Sequence, residues 1–126
     1  MPPLFDHEKL TAYQTSIRFV AWSDSLLETV PKSLAAHNQL DRASTSIPLN
    51  LAEGNGKFTS ADRCRYFDIA RGSAWECAAC LDVLVAKKKL SAGEVVEGKM
   101  MLVEIVSMLV GLVKSNSGTR VYEEGL

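Results

Sequence analysis

The sequence is short of the residues that usually carry chemistry. It holds only two histidines in 126 residues, and neither His7 nor His37 follows a glutamate by three positions, so the paired Glu-x-x-His ligands of a di-metal helical bundle are missing. Two histidines at helix ends also leave no Ser-His-Asp or Cys-His set to build. The three cysteines, Cys64, Cys77 and Cys80, are an odd set, which argues against a disulfide framework and for free thiols in a cytoplasmic setting. There is no surplus of charge: the net value is −1, so no global field draws the chain to nucleic acid or an anionic membrane. The opening residues form neither a basic leader nor an apolar one, and the most apolar run, 100–113, is too short and interrupted to cross a bilayer.

Strand patterning is absent as well. No alternating Val/Ile/Thr run occurs, and no Asn-Gly or Asp-Gly turn sits between two such runs. Four segments carry helical spacing instead, over about 6–30, 38–53, 60–90 and 92–115. In the first, Leu10, Tyr13, Ile17, Val20 and Leu27 form an apolar stripe, widened by Ala12, Phe19, Trp22 and Leu26, with Asp6 as N-cap and Pro31 as stop. In the third, Phe67, Ala70, Ala74, Cys77, Leu81 and Leu84 step as a heptad-like seam. The fourth opens on a Ser91-x-x-Glu94 capping box. Residues 116–126 have no period and are expected to be mobile. Short links between long amphipathic helices predict one all-α domain, an up-down-up-down antiparallel four-helix bundle.

Phosphate binding is the first functional question, because helix two ends in Gly54-Asn55-Gly56-Lys57. The spacing falls short of a phosphate loop, and it follows a helix instead of a strand. Gly54 is expected as a left-handed C-cap, Thr59 or Ser60 as the next N-cap, and Pro48 as a kink whose freed carbonyl is met by the hydroxyls of Ser44 to Ser46.

Helix four is apolar around most of its circumference. Its polar positions, Glu104, Ser107, Gly111 and Lys114, make one narrow stripe. A bundle covers only one face of each helix, so the remainder is expected to meet another copy through Met101, Ile105, Val106, Met108, Leu109 and Leu112, with help from helix one. A charge at Val106 or Leu109 should break that contact. Around the helix two–three hairpin, Arg42, Lys57, Arg63, Arg65 and Arg71 form a candidate RNA or DNA surface, interleaved with Asp41, Glu53, Asp62 and Asp68. Stacking of bases would need Phe58 or Tyr66 to be exposed. Glu53 is expected to pair with Arg63 or Arg65, at about 1 kcal/mol if mostly exposed. Glu76 is expected opposite the start of helix two, near His37. Cys77-x-x-Cys80 reads as core filling.

The pattern Ser46-Ile47-Pro48, Asn50, Ala52-Glu53-Gly54, followed by Phe67, Ile69-Ala70, Gly72-Ser73 and Glu76, resembles the signature of the bacterial four-helix-bundle proteins named after intervening sequences in 23S ribosomal RNA genes. That resemblance implies an up-down four-helix bundle assembled as a ring-shaped homopentamer, with no established enzymatic activity. No cofactor is expected, and the candidate partners beyond a second copy are RNA, DNA or protein. A related branch resembles the basic accessory proteins of diversity-generating retroelements, which bind nucleic acid and a reverse transcriptase. This chain differs from that branch in its pI of about 6.1.

Overall fold

A computed structural model describes residues 2–117. Within them the chain forms four α-helices, α1 (Thr11–Leu27), α2 (Ala35–Asn55), α3 (Ser60–Ala86) and α4 (Val96–Ser117), with 3-10 turns at Asp6–Lys9 and Gly93–Val95 and no strand among the described residues. Each helix packs on its neighbours in a square, α1 on α2 and α4, α3 on α2 and α4. The bundle has the expected architecture. Of the expected mobile tail, Asn116 and Ser117 continue α4; the rest lies outside the described residues.

Helix one departs from expectation at both ends and in its facing. Asp6 does not cap it; Leu10, in extended backbone at φ −73° and ψ 125°, separates the first 3-10 turn from α1. Residues 28–30 turn away from the helix, with Val30 N–H donating to the Leu27 carbonyl at 3.1 Å. The buried face is Ala12, Thr15, Ser16, Phe19, Ser23 and Leu27, while Ile17 is exposed. The hydroxyls of Ser16 and Ser23 donate to their own helix, to the carbonyls of Tyr13 at 2.7 Å and Val20 at 3.1 Å. Satisfied that way, they are small side chains fit for a core.

Helix two starts at Ala35 and runs without interruption through the buried Pro48 to Asn55. None of the three hydroxyls expected to serve the carbonyl freed by Pro48 does so. Ser44 Oγ and Thr45 Oγ1 both donate to the Asp41 carbonyl, and Ser46 Oγ pairs with Ser73 Oγ at 2.8 Å. Gly54 is not a left-handed cap but a buried helical residue. A Cβ there would stand 2.9 Å from the Phe67 ring and 3.0 Å from Tyr66 Cβ, so the glycine lets α2 and α3 approach.

Helix three carries the expected cap, Thr59 Oγ1 accepting from the Asp62 N–H at 3.1 Å, and the expected seam is buried at every position. It stops at Ala86, short of Leu90. Lys88 takes φ 60°, and the Lys89 N–H returns to the Leu84 carbonyl at 3.0 Å, closing the helix with a left-handed residue before Leu90 re-enters the core. The Ser91–Glu94 box forms, Ser91 N–H to Glu94 Oε1 at 2.8 Å and Glu94 N–H to Ser91 Oγ at 3.2 Å, but it opens a 3-10 turn that then feeds α4. Gly98 sits at the α1 crossing, where a Cβ would fall 2.2 Å from the Trp22 ring.

Candidate interaction surfaces

The hairpin end gathers the candidate basic residues but does not leave them all available. Arg63 is committed to architecture. Its Nη1 donates to the carbonyls of Asn55 at 2.9 Å and Lys57 at 3.2 Å, and its Nε donates to Asn116 Oδ1 at 3.0 Å. Asn55 Nδ2 donates in turn to Asp6 Oδ2 at 3.0 Å. One polar chain therefore ties the first 3-10 turn, α2, α3 and α4 together, and it shows directly that neighbouring helices run antiparallel. The Asn55 hydrogen bond, assisted by Lys9, holds the Asp6 carboxyl below its ordinary range.

The expected pairing of Glu53 is corrected accordingly. Its partner is Lys57, one turn on in sequence, at 3.5 Å, while Arg65 pairs with Asp62 at 3.7 Å and Arg71 with Asp68 at 4.0 Å. Such partly exposed pairs are each worth about 0–1 kcal/mol. Lys57 and Arg65 also bracket the Tyr66 ring, at 5.0 and 5.1 Å from its centroid. Beside them Phe58 is wholly exposed at the hairpin tip. Arg42 lies apart, exposed nearer the middle of α2.

The signature residues fall into three groups. Ile47, Pro48, Gly54, Phe67 and Ala70 are buried. On the α2–α3 seam, Asn50 Nδ2 donates to both the carbonyl and the hydroxyl of Ser46 at 2.9 Å, continuing to Ser73. Gly72 and Glu76 are exposed on α3, and a Cβ on Gly72 would meet nothing within 4 Å.

Two residues of the expected intersubunit surface on α4 are reassigned. Ile105 and Leu109 are fully buried in the chain's own core, so neither can face a second copy, and a charge at Leu109 would unfold the bundle instead of separating subunits. Met101, Val106, Met108 and Leu112 are half-buried on the flanks of α4. The most exposed apolar side chains of the helix were not among those expected: Val103 at 69%, Met100 at 62% and Val96 at 52%. Trp75 on α3, 64% exposed, was missed too. A signal existed for it, since Trp75 is the one large apolar residue immediately beside the small-residue seam at Ala74 and Cys77.

Trp75, Ala78, Leu102, Val103 and Val106 line a groove of about 440 Å³ between α3 and α4, with Asp82 and Lys99 paired on its rim. Leu10, Ala12, Met108, Gly111 and Leu112 line a smaller hollow of about 280 Å³ between α1 and α4. A hollow of about 620 Å³ is an open trough near the hairpin end beside Arg65, Asp68 and Asn116. It is a surface feature with no convergent chemistry. The thiols offer none either: all three cysteines are free and buried, and burial, with Cys80 and Glu76 nearby, pushes Cys77 up to about 12. Among the described residues no three His, Cys, Asp or Glu side chains group to hold a metal ion, and no helix is long and apolar enough to cross a membrane.

Comparison with solved structures shows the same fold in a protein of unknown function from the S23 ribosomal protein family of Bacteroides thetaiotaomicron. It is 21% identical, with a TM-score of 0.77, over 82% of this chain and 99% of that one. No curated protein matches the sequence. Residues 8–111 match the family described as 23S rRNA-intervening sequence protein, a span that takes in all of α1, α2 and α3 and most of α4. The chain belongs to the 23S rRNA-intervening sequence protein family.

Proposed function

We propose that this chain is a non-enzymatic, cytoplasmic, self-associating helical scaffold, with the five-copy ring implied by the family resemblance as its assembly. The observation that carries the reading is the double-sided character of α4. It gives Leu102, Ile105, Leu109 and Val113 to its own core while leaving Val96, Met100 and Val103 exposed on the outside. A surface helix normally keeps a polar back; here Val96, Met100 and Val103 stand among Glu97, Glu104 and Ser107 on that back, and exposed apolar surface of this kind marks an interface. Light scattering of the purified protein is expected to give a multiple of the 13.8 kDa chain mass. Val103→Glu, at a position open to solvent, is expected to reduce it to one chain mass with unchanged helical circular dichroism. A wild-type mass of one chain at high concentration overturns the proposal.

A second reading, nucleic-acid binding at the hairpin, is favoured by one specific observation: Phe58 is fully exposed beside a tyrosine flanked by Lys57 and Arg65. An exposed ring next to cations suits a stacked base and its phosphate. Phe58→Ala is expected to weaken retention of single-stranded RNA by about 5- to 100-fold, the loss of one stacked base, with retention falling as salt rises. Absence of any retention at low salt removes this reading.

A further inference from the structure

The last turn of α4 is held in place at the hairpin pole. Asn116 Nδ2 donates to the Leu112 carbonyl at 2.7 Å, and Asn116 Oδ1 accepts from Arg63 Nε at 3.0 Å. Those bonds fix the point from which the chain continues, as residues 118–126, GTRVYEEGL. That point lies on a hollow. Asn116 is itself a wall of the trough of about 620 Å³ whose other walls include Ala61, Cys64, Arg65, Asp68 and Ile69 of α3.

The trough holds no catalytic set, yet it is well suited to receive a peptide. Cys64 is buried in its floor and Ile69 stands 46% exposed at its edge. One anion and one cation, Asp68 and Arg65, lie on its rim. Asp68 is half-buried and Arg65 is exposed, so a segment coming off α4 across the trough meets the anion first and the cation second.

Residues 118–126 carry complementary features in the matching order. Gly118 directly follows α4, where a glycine can take the left-handed conformation that reverses the chain. After it come a cation, Arg120, two apolar side chains, Val121 and Tyr122, and two anions, Glu123 and Glu124. Length agrees as well. Tyr122 stands at most about 13 Å past the turn in extended chain. The trough runs about 14 Å along α3 from Ser60 to Ile69, whereas the Trp75 groove lies about 16 Å beyond Cys64. The tyrosine therefore falls within the trough and short of the groove.

We propose that residues 118–126 fold back at Gly118 and strap the trough of their own chain, with Arg120 at Asp68, Val121 and Tyr122 against Ile69, and Glu123 and Glu124 at Arg65. The strap covers apolar surface that α3 otherwise shows to water, and each of its charges meets the opposite sign. It is independent of the self-association proposed above, whose outward residues Val96, Met100 and Val103 occupy the other half of α4. Ordering so short a segment costs conformational entropy, so the closed state is favoured by a modest factor.

The peptide bond after Arg120 reports the strap, because proteolysis tracks the population of the open state. In the full chain, trypsin is expected to cut there about tenfold more slowly than in a free peptide of residues 116–126. Two variants should each restore the peptide's rate with unchanged helical circular dichroism. Ile69→Glu, at an exposed position, sets an anion beside Glu123 and Glu124, and Tyr122→Ser removes the ring, its control being a peptide with the same change. Protection should not vary with protein concentration. Three results overturn the proposal. The first is wild-type cleavage at the peptide's rate. The second is protection that survives in either variant, as it would if Arg120 lay in a simple extension of α4. The third is protection that grows with concentration, which assigns the tail to a second copy.

Discussion

Phe67→Ala is expected to lower folding stability by about 3–5 kcal/mol, the range for truncating a fully buried aromatic side chain. Phe67 has no exposed surface and stands in the α3 seam against α2, with its ring edge 2.9 Å from the position a Gly54 Cβ would occupy. A domain of this kind is stable by about 5–15 kcal/mol in all, so the substitution removes a large fraction of the whole. Urea unfolding by circular dichroism measures it. The unfolding should be followed at several protein concentrations, because self-association adds a concentration-dependent term. The geometry supplies a sharper version of the same test. Gly54→Val should be destabilising alone, because its side chain meets the ring and the rigid Tyr66 Cβ. Combined with Phe67→Ala it should recover part of the loss by entering the vacated space, so the two effects should not add. Strict additivity would show that the ring and the glycine are not in contact.

Arg63→Met is expected to cost about 1.5–3 kcal/mol, the range for hydrogen bonds made by a charged group. Methionine keeps an apolar stem but removes every donor to Asn55, Lys57 and Asn116. The carbonyls concerned lie at the C-terminal end of α2, where four acceptors of any helix lack an internal partner. The loss should be local as well as global. Amide exchange should quicken first at 55–57 and in the last turn of α4, ahead of the seam around Phe67. Arg63→Lys should restore little, because a single ammonium cannot reach acceptors on two sides of a planar fork. Equal protection at the hairpin in wild type and Arg63→Met would show that the network holds nothing together.

The fold was legible because the seam from Phe67 to Leu84 and the Ser91–Glu94 box report on local geometry that the tertiary structure preserves. Helix one was misread in its facing because Ser16 and Ser23 look polar in sequence; only the structure shows them bonded to their own backbone. Gly54 was placed as a cap for a similar reason. Glycine near a helix end suggests a left-handed residue, and the alternative cause, an aromatic ring from another helix, is a long-range fact. The outward face of α4 was half legible. An excess of apolar surface on α4 was correctly counted, but assigning Ile105 and Leu109 to the outside required knowing how far α4 is rotated toward the core. Arg63 shows the converse: in sequence it reads as one cation of a basic cluster, and only the structure shows its fork filled by three segments of its own chain.

The polar chain from Asp6 through Asn55 and Arg63 to Asn116 brings the start of the first helix and the finish of the last onto one cap of the bundle, beside the Phe58 tip. Lys87 to Lys89 stand at the opposite cap. The first described turn and the last turn of α4 therefore sit at the same pole, and donor and acceptor dyes attached near positions 6 and 116 would report a short distance in a folded chain. The bundle is a post with both of those segments on one plate.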